Sequence, residues 1–148
     1  MKTHIAILSF LLAVTLFSLA KDETLEQLIE RANAAQPARP DLFLEVADRE
    51  LKSAIEAYKA NKLEDGRAAL RQLVNYADKA HALALHSGKK LPQTEIKIRR
   101  ISNRLRDLKL SVEADQQLPI EAAIDQLEDF RTALLKGMFS SKTPSEKK

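Results

Sequence analysis

Apolar residues recur every three to four positions through most of the chain, which is the spacing of amphipathic helices. The clearest stripe follows Pro92, and its members are spaced alternately three and four residues apart, as in a bundle or coiled-coil seam. They are Ile98, Ile101, Leu105, Leu108 and Val112. No stretch shows the sustained alternation of β-branched residues that marks a strand. The pattern predicts an all-α protein.

Four long helices of similar length are predicted in the second and larger part of the chain. They cover residues 41–60, 63–86, 92–112 and 119–139. Asp41 is placed to cap the first helix, and Asn61 and Gly88 stand where left-handed residues commonly end a helix. Each helix is roughly 30 to 35 Å long at about 1.5 Å per residue. Matched helices joined by short loops predict an up-down-up-down four-helix bundle over 41–139.

A shorter amphipathic helix is predicted ahead of this bundle, with Leu25, Leu28 and Ile29 on its apolar face. Pro37 and Pro40 follow, and two prolines in four residues cannot continue a helix. Residues 21–40 are therefore predicted to form a short helix and a linker. At the other terminus, the polar residues 140–148 are predicted to be a disordered tail.

The first segment has the pattern of a secretory signal peptide. Lys2 precedes an apolar run over residues 5–19, and Ser18 and Ala20 are small residues at the two positions that a signal peptidase reads. The run is about 15 residues long, which is short of the roughly 20 needed to span a bilayer. We therefore expect residues 1–20 to be removed and the mature protein to be periplasmic or secreted. The alternative is an uncleaved membrane anchor.

Composition excludes several kinds of chemistry. The 148 residues include no Cys and no Trp, so disulfide scaffolds, thiolate metal sites and cysteine nucleophiles are excluded. The 24 Lys and Arg residues against 21 Asp and Glu residues give a formal charge of +3. Outside the cytoplasm this modest excess does not indicate a nucleic-acid partner, and we expect none.

Residues that could carry catalysis are sparse. His81 and His86 are five positions apart on one predicted helix, so they point about 140° apart and cannot share a metal ion as an i, i+4 pair can. The chain has no HExxH, Walker or GxSxG motif. We therefore expect no enzymatic activity, no metal and no cofactor. The alternative is a b-type haem electron carrier of the cytochrome b562 kind, with His81 and Met138 as axial ligands near one end of the bundle.

One local stretch resembles a known repeat. Residues 57–66 combine an aromatic (Tyr58), a short turn and a small residue (Gly66), and Leu70 follows. This arrangement is similar to the turn of a tetratricopeptide helical hairpin, and the resemblance implies an adaptor function. The pattern does not recur, and stacked repeats require neighbours of the same kind. A generic αα-hairpin is the preferred interpretation, and a tetratricopeptide-like adaptor hairpin is the alternative.

Charge is distributed unevenly around the third long helix. Residues 89–112 contain eight bases and two acids, whereas residues 113–130 contain six acids and no base. The two segments are expected to attract one another as adjacent antiparallel helices. The outer face of the third helix combines two aliphatic residues with two arginines and one asparagine: Ile96, Arg99, Asn103, Arg106 and Leu110.

This outer face is the candidate partner-binding site, because aliphatic side chains among arginines can hold a partner helix or an anionic surface. In the preferred interpretation, however, the net acidic amphipathic segment with Leu25, Leu28 and Ile29 folds back and covers it. The sequence as a whole indicates a non-enzymatic helical bundle that acts as a protein-binding, scaffold or chaperone-like protein. The partner is expected to be another protein or an envelope surface, and the oligomeric state is left open.

Overall fold

The structure is a computed structural model that describes residues 23–140. Over this range the chain is all-helical, with five packed helices and no strand. The helices are α1 (Leu25–Ala34), α2 (Pro40–Lys59), α3 (Leu63–Ser87), α4 (Leu91–Ser111) and α5 (Gln117–Ser140), with a 3-10 turn over Ala114–Gln116. The predicted all-α class is thereby confirmed. The predicted signal peptide and the tail beyond Ser140 lie outside the described residues.

Helix boundaries agree with the predicted ones to within about two residues, and the differences have local causes. Asn61 and Gly88 adopt the predicted left-handed conformation, with φ of 54° and 64°. The predicted capping role of Asp41 is wrong. Pro40, whose fixed φ suits a first helical turn, begins α2, and Arg39 stands at the N-cap. The Arg39 Nη2 atom donates to Asp41 Oδ2 at 2.6 Å, so this carboxylate is occupied by its neighbour.

Two antiparallel helical hairpins make up most of the structure. In the first, α2 and α3 meet at Tyr58 and Gly66 near the turn, and Phe43 stacks on Tyr76 near the other end, with ring centroids 6.3 Å apart. In the second hairpin, α4 and α5 are joined by polar contacts along their length, which are described below. Short connections after Lys59 and Ser87 reverse the chain direction.

The hairpins pack on each other so that their first helices, α2 and α4, lie side by side, and so do their second helices, α3 and α5. The Arg104 Nη1 atom lies 2.8 Å from Asp48 Oδ1, and the Lys90 Nζ atom lies 3.7 Å from Asp41 Oδ1, so α4 runs parallel to α2. The His81 ring stacks on the Phe130 ring, which places α5 alongside α3. The cross-hairpin neighbours are therefore α2 with α4, α3 with α5 and, across the short connection that joins them, α3 with α4.

One core runs through all five helices, and its largest fully buried side chains are aliphatic. They include Leu28, Leu51, Leu73, Ile98, Leu105, Ile120, Leu127 and Leu134. The seam predicted along α4 is buried except for its last member, Val112, which is partly exposed. Within residues 23–140, none of the helices combines the length and the apolarity that crossing a membrane requires.

Candidate partner-binding surface on α4 and α5

The N-terminal helix does not cover the outer face of α4. Helix α1 packs against α2, with Leu28 in the core and Arg31 paired to Glu45. Ile96 keeps 43% of its surface exposed and Leu110 keeps 83%. The prediction that the N-terminal segment covers these two residues is therefore wrong. The reason is that the apolar face of α1 finds its partner on the first hairpin.

The polar members of the predicted site differ in how firmly the protein holds them. Arg106 Nη2 donates to Glu128 Oε1 at 2.8 Å, and Arg106 Nη1 donates to Asn103 Oδ1 at 2.8 Å. Arg99 makes only a marginal ion pair, 4.0 Å from Nε to Glu95 Oε1, and half of its side chain is exposed. Arg99 is consequently the predicted site residue whose charge is most available to a partner.

Beneath this face lies a polar network that the hydrophobic pattern did not predict. Glu95 Oε1 accepts hydrogen bonds from Arg131 Nε at 2.9 Å and from Arg131 Nη2 at 2.7 Å. Glu128 Oε2 accepts from Arg131 Nη1 at 2.6 Å, and its Oε1 accepts from Ser102 Oγ at 2.6 Å. Glu95 and Ser102 are buried. These contacts fix the register of α4 on α5.

The network keeps its ionised members charged. Burial disfavours the charged form of Glu128, but hydrogen bonds from Ser102 and Arg106 and the charge of Arg131 outweigh it and hold the pKa of Glu128 below its ordinary value. Burial acts on Arg131 in the same sense, and the bonded carboxylates of Glu95 and Glu128 raise the pKa of Arg131 nevertheless. Glu128 and Arg131 therefore stay ionised around neutral pH.

The face continues across the groove between α4 and α5. A groove of about 440 Å³ is lined on one side by Arg106, Lys109 and Leu110 and on the other mainly by acidic residues of α5. Lys109 Nζ lies 3.2 Å from Glu121 Oε1, which bridges the groove. Asp125 also lines the groove and is exposed.

Helix α5 adds further exposed apolar residues to this surface. Leu118 is 72% exposed at its beginning, and Leu135 and Phe139 are 38% and 70% exposed towards its end. Asp125 and Asp129 lie between these apolar ends and are exposed. We call the combined outer surface of α4 and α5 the α4–α5 face. It consists of Ile96, Arg99, Asn103, Arg106 and Leu110 from α4 and Leu118, Glu121, Asp125, Asp129, Leu135 and Phe139 from α5.

The excess of bases on α4 is shared between two neighbouring helices. On the side that meets α5, Arg106 and Lys109 pair with acids of the following segment, as the charge pattern predicts. On the opposite side, Lys97, Arg100 and Arg104 line a groove whose other wall carries Asp41, Glu45 and Asp48 of α2. The periodicity of the sequence predicts on which side of α4 each base lies, but it does not identify the helix that packs against that side.

The residues of the haem alternative lie on neighbouring helices. The His81 ring stacks on Phe130 with centroids 4.5 Å apart, and His81 Nδ1 lies 3.0 Å from the Asp78 carbonyl oxygen. Met138 is partly buried two turns further along α5 than Phe130, which is roughly 12 Å along the helix. His86 is exposed near the end of α3. Among residues 23–140, no three His, Asp or Glu side chains are arranged to hold a metal ion.

No protein-family model, curated protein or solved structure matches this chain.

Proposed function

We propose that this protein is a periplasmic or secreted, non-enzymatic helical bundle that binds another protein through its α4–α5 face, as a scaffold or chaperone-like protein. The observation that carries the proposal is the exposure of Ile96 and Leu110 next to Arg99, with α1 docked elsewhere. Location outside the cytoplasm rests on the signal-peptide pattern of residues 1–20.

The chemistry of the face indicates the kind of partner. Single exposed aliphatic residues are common on protein surfaces, but here several lie on one pair of helices and border charged side chains. The α4 half offers arginine, which is enriched at protein interfaces, beside aliphatic residues. An amphipathic segment with an acidic edge fits this half. An apolar contact would then supply affinity, and the charges would supply orientation.

The scaffold beneath the face supports the proposal. Helix directions inferred from the contacts alternate along the chain, as the proposed up-and-down order of the helices requires. The Glu95–Arg131–Glu128 network holds α4 and α5 in one register, so the face is presented by two rigid helices. A preorganised surface binds with less loss of conformational entropy than a flexible one.

Capture of binding proteins from an envelope extract tests the proposal, with the processed protein as bait. Leu110→Asp places a charge at the most exposed aliphatic position of the face and should abolish capture without lowering stability. Ala68→Asp on α3 is the matched control, because Ala68 is also exposed on a helix but lies away from the face. Equal capture by both variants and the wild type would refute the proposed surface.

Charge reversal gives a second variant. Arg99→Glu should weaken capture, and the effect should grow smaller at high salt because exposed charges are screened. Arg106 is not suitable for this purpose. Its replacement by Glu would place a second carboxylate beside Glu128 and disturb the protein itself.

The packing of corresponding helices of the two hairpins favours one alternative function, a tetratricopeptide-like adaptor. Consecutive hairpins that pack with α2 beside α4 and α3 beside α5 have the arrangement of helical-repeat units. An adaptor of this kind would use the groove between α2 and α4, where Lys97 and Arg100 line the surface and are exposed. Loss of capture on Arg100→Glu, with Leu110→Asp silent, would favour the adaptor over the α4–α5 face.

A further inference from the structure

We propose that the α4–α5 face is self-complementary and binds a second copy of this chain, with α4 of each copy lying antiparallel on α5 of the other. The inference rests on the proposed function, in which this face binds protein, and it names the partner. Its first support is the separation of charge on the face. Among the residues of the face, the bases (Arg99, Arg106) lie on α4 and the exposed acids (Glu121, Asp125, Asp129) lie on α5.

The charge separation selects one of the two symmetric ways to pair the hairpins. A two-fold axis perpendicular to the helices, in the plane of the interface, would lay α4 on α4 and bring bases against bases. A two-fold axis parallel to the helices lays α4 on α5 twice and brings bases against acids both times. Like charges that face each other across an interface are strongly unfavourable. The second arrangement is the isologous contact that this surface can form.

The register within one copy determines which residues meet. The pairs Glu95–Arg131 and Lys109–Glu121 show which positions of α4 and α5 lie at the same height. An axis parallel to the helices preserves height. It therefore brings Arg99 of one copy level with Asp129 of the other, to within about two residues along the helix at roughly 1.5 Å each.

The apolar residues at the two ends match in the same arrangement. Leu110 comes level with Leu118 in the second copy, and Ile96 comes within about one to five residues of the height of Leu135. All four side chains are exposed in the single chain. Apolar side chains therefore meet apolar side chains at both ends, while the opposite charges meet in the middle.

The size of the face sets the expected strength. Two helices of about 30 Å that lie about 9 Å apart present a surface roughly 20 Å wide, or about 600 Å² per copy. The total of about 1,200 Å² is at the lower limit for specific interfaces. A dimer with a dissociation constant in the micromolar range is therefore expected, and it should weaken as salt is raised.

Sedimentation equilibrium on protein produced from the full-length coding sequence measures this association. The wild type should pass from monomer to dimer over the micromolar range. Arg99→Glu and Asp129→Arg should each raise the dissociation constant roughly tenfold or more, because each homodimer then contains two like-charged contacts. An equimolar mixture of the two variants should associate about as well as the wild type, because both contacts in the mixed dimer again join opposite charges.

Arg71→Glu and Glu56→Arg are the matched controls, since both residues are exposed on the first hairpin. Neither control should change the association, alone or mixed, and circular dichroism should show all four variants folded. A wild type that remains monomeric at about 100 times the expected dissociation constant would overturn the inference. Variants that associate like the wild type, or a variant mixture that fails to recover association, would also overturn it.

The outcomes separate this inference from the proposed function. A monomeric wild type whose Leu110→Asp variant loses a captured envelope protein would leave the proposed function standing and refute the dimer. The opposite outcome is that the mixture of Arg99→Glu and Asp129→Arg recovers association, while Leu110→Asp does not affect the capture of other proteins. That outcome would support the dimer and refute the heterologous partner.

Discussion

Replacement of Gly66 by alanine should destabilise the protein, although alanine is the better helix former. Gly66 lies in the first turns of α3, where the ring of Tyr58 crosses it. A Cβ atom at position 66 would lie 2.8 Å from Tyr58 Cε2 and 2.9 Å from Cδ2. Real Cβ atoms essentially never come so close to a neighbour. The Tyr58 ring is buried and has little room to move aside.

Two opposing effects set the magnitude. Alanine in place of glycine in a helix contributes up to about 1 kcal/mol of stability. Forcing an extra methyl group into a packed site costs typically about 1–3 kcal/mol. Because the contact is with a buried aromatic ring, we expect the steric cost to exceed the gain in helix propensity. The net loss in the free energy of unfolding should be about 1–2 kcal/mol.

The chain provides two glycine controls. At Gly137 an added Cβ would lie 3.0 Å from Leu85 Cδ2, the mobile end of a half-exposed side chain, so Gly137→Ala should be neutral or stabilise by up to about 1 kcal/mol. Gly88 has φ of 64° and no atom within 4 Å of an added Cβ, so Gly88→Ala should cost about 1 kcal/mol through the backbone alone. Urea denaturation with unchanged m-values measures all three differences.

A double-mutant cycle identifies the cause. In a Tyr58→Phe background the ring remains, so Gly66→Ala should still destabilise. In a Tyr58→Leu background the ring is absent, and Gly66→Ala should become neutral or stabilising. If Gly66→Ala stabilises the wild type, or costs the same with leucine at position 58, the close packing of α2 on α3 at this turn is not the cause.

Three further predictions address the network, a buried carboxyl and the N-terminus. Arg131→Met should cost about 3 kcal/mol because it leaves the Glu95 carboxylate buried without its partner, and adding Glu95→Leu should recover much of the loss. Glu50→Gln should stabilise the protein by about 1 kcal/mol at neutral pH, because burial raises the pKa of Glu50 and disfavours its charged form. Mass spectrometry of the exported protein should find Lys21 at the N-terminus.

The controls for these three are equally direct. An additive loss in the Glu95→Leu/Arg131→Met double variant would contradict the pairing. The pKa of Glu50 is higher in the folded protein than in the unfolded chain. The buried carboxylate therefore destabilises the fold fully above the folded-state pKa and not at all below the unfolded-state pKa. The advantage of Glu50→Gln should therefore shrink as pH falls, and a constant advantage would exclude the carboxyl as its origin. An intact Met1 would refute processing.

The helical pattern alone predicts most of the local structure, because backbone geometry and burial act over one turn at a time. The seam of Ile98, Ile101, Leu105 and Leu108 is buried as predicted, and Asn61 and Gly88 end their helices. Helix α2 begins one residue earlier than predicted, at Pro40, and the Asp41 side chain pairs with Arg39 instead of capping the helix. The spacing of residues along the chain does not show whether a carboxylate accepts from the backbone or from a nearby side chain.

The interior polar contacts required knowledge of which helices are neighbours. Glu95 and Ser102 are seven residues apart beside the α4 seam, and this spacing was the available sign that polar side chains point inwards there. Their partners Glu128 and Arg131 lie about thirty residues away, so helical periodicity cannot pair them. The position of α1 on α2 could not be predicted either. Both α2 and α4 carry apolar surface, and helical periodicity does not show which of the two helices α1 contacts.

Photo-crosslinking in cells most directly tests the claim that the α4–α5 face is the binding surface. A photoreactive residue at position 96 or 110 lies on the face, and at position 68 or 72 it lies on the exposed side of α3. We expect discrete adducts from positions 96 and 110 and none from positions 68 and 72. The mass of each adduct distinguishes a second copy of the chain from another protein. Adducts that form equally at all four positions, or only from α3, would show that the α4–α5 face is not the binding surface.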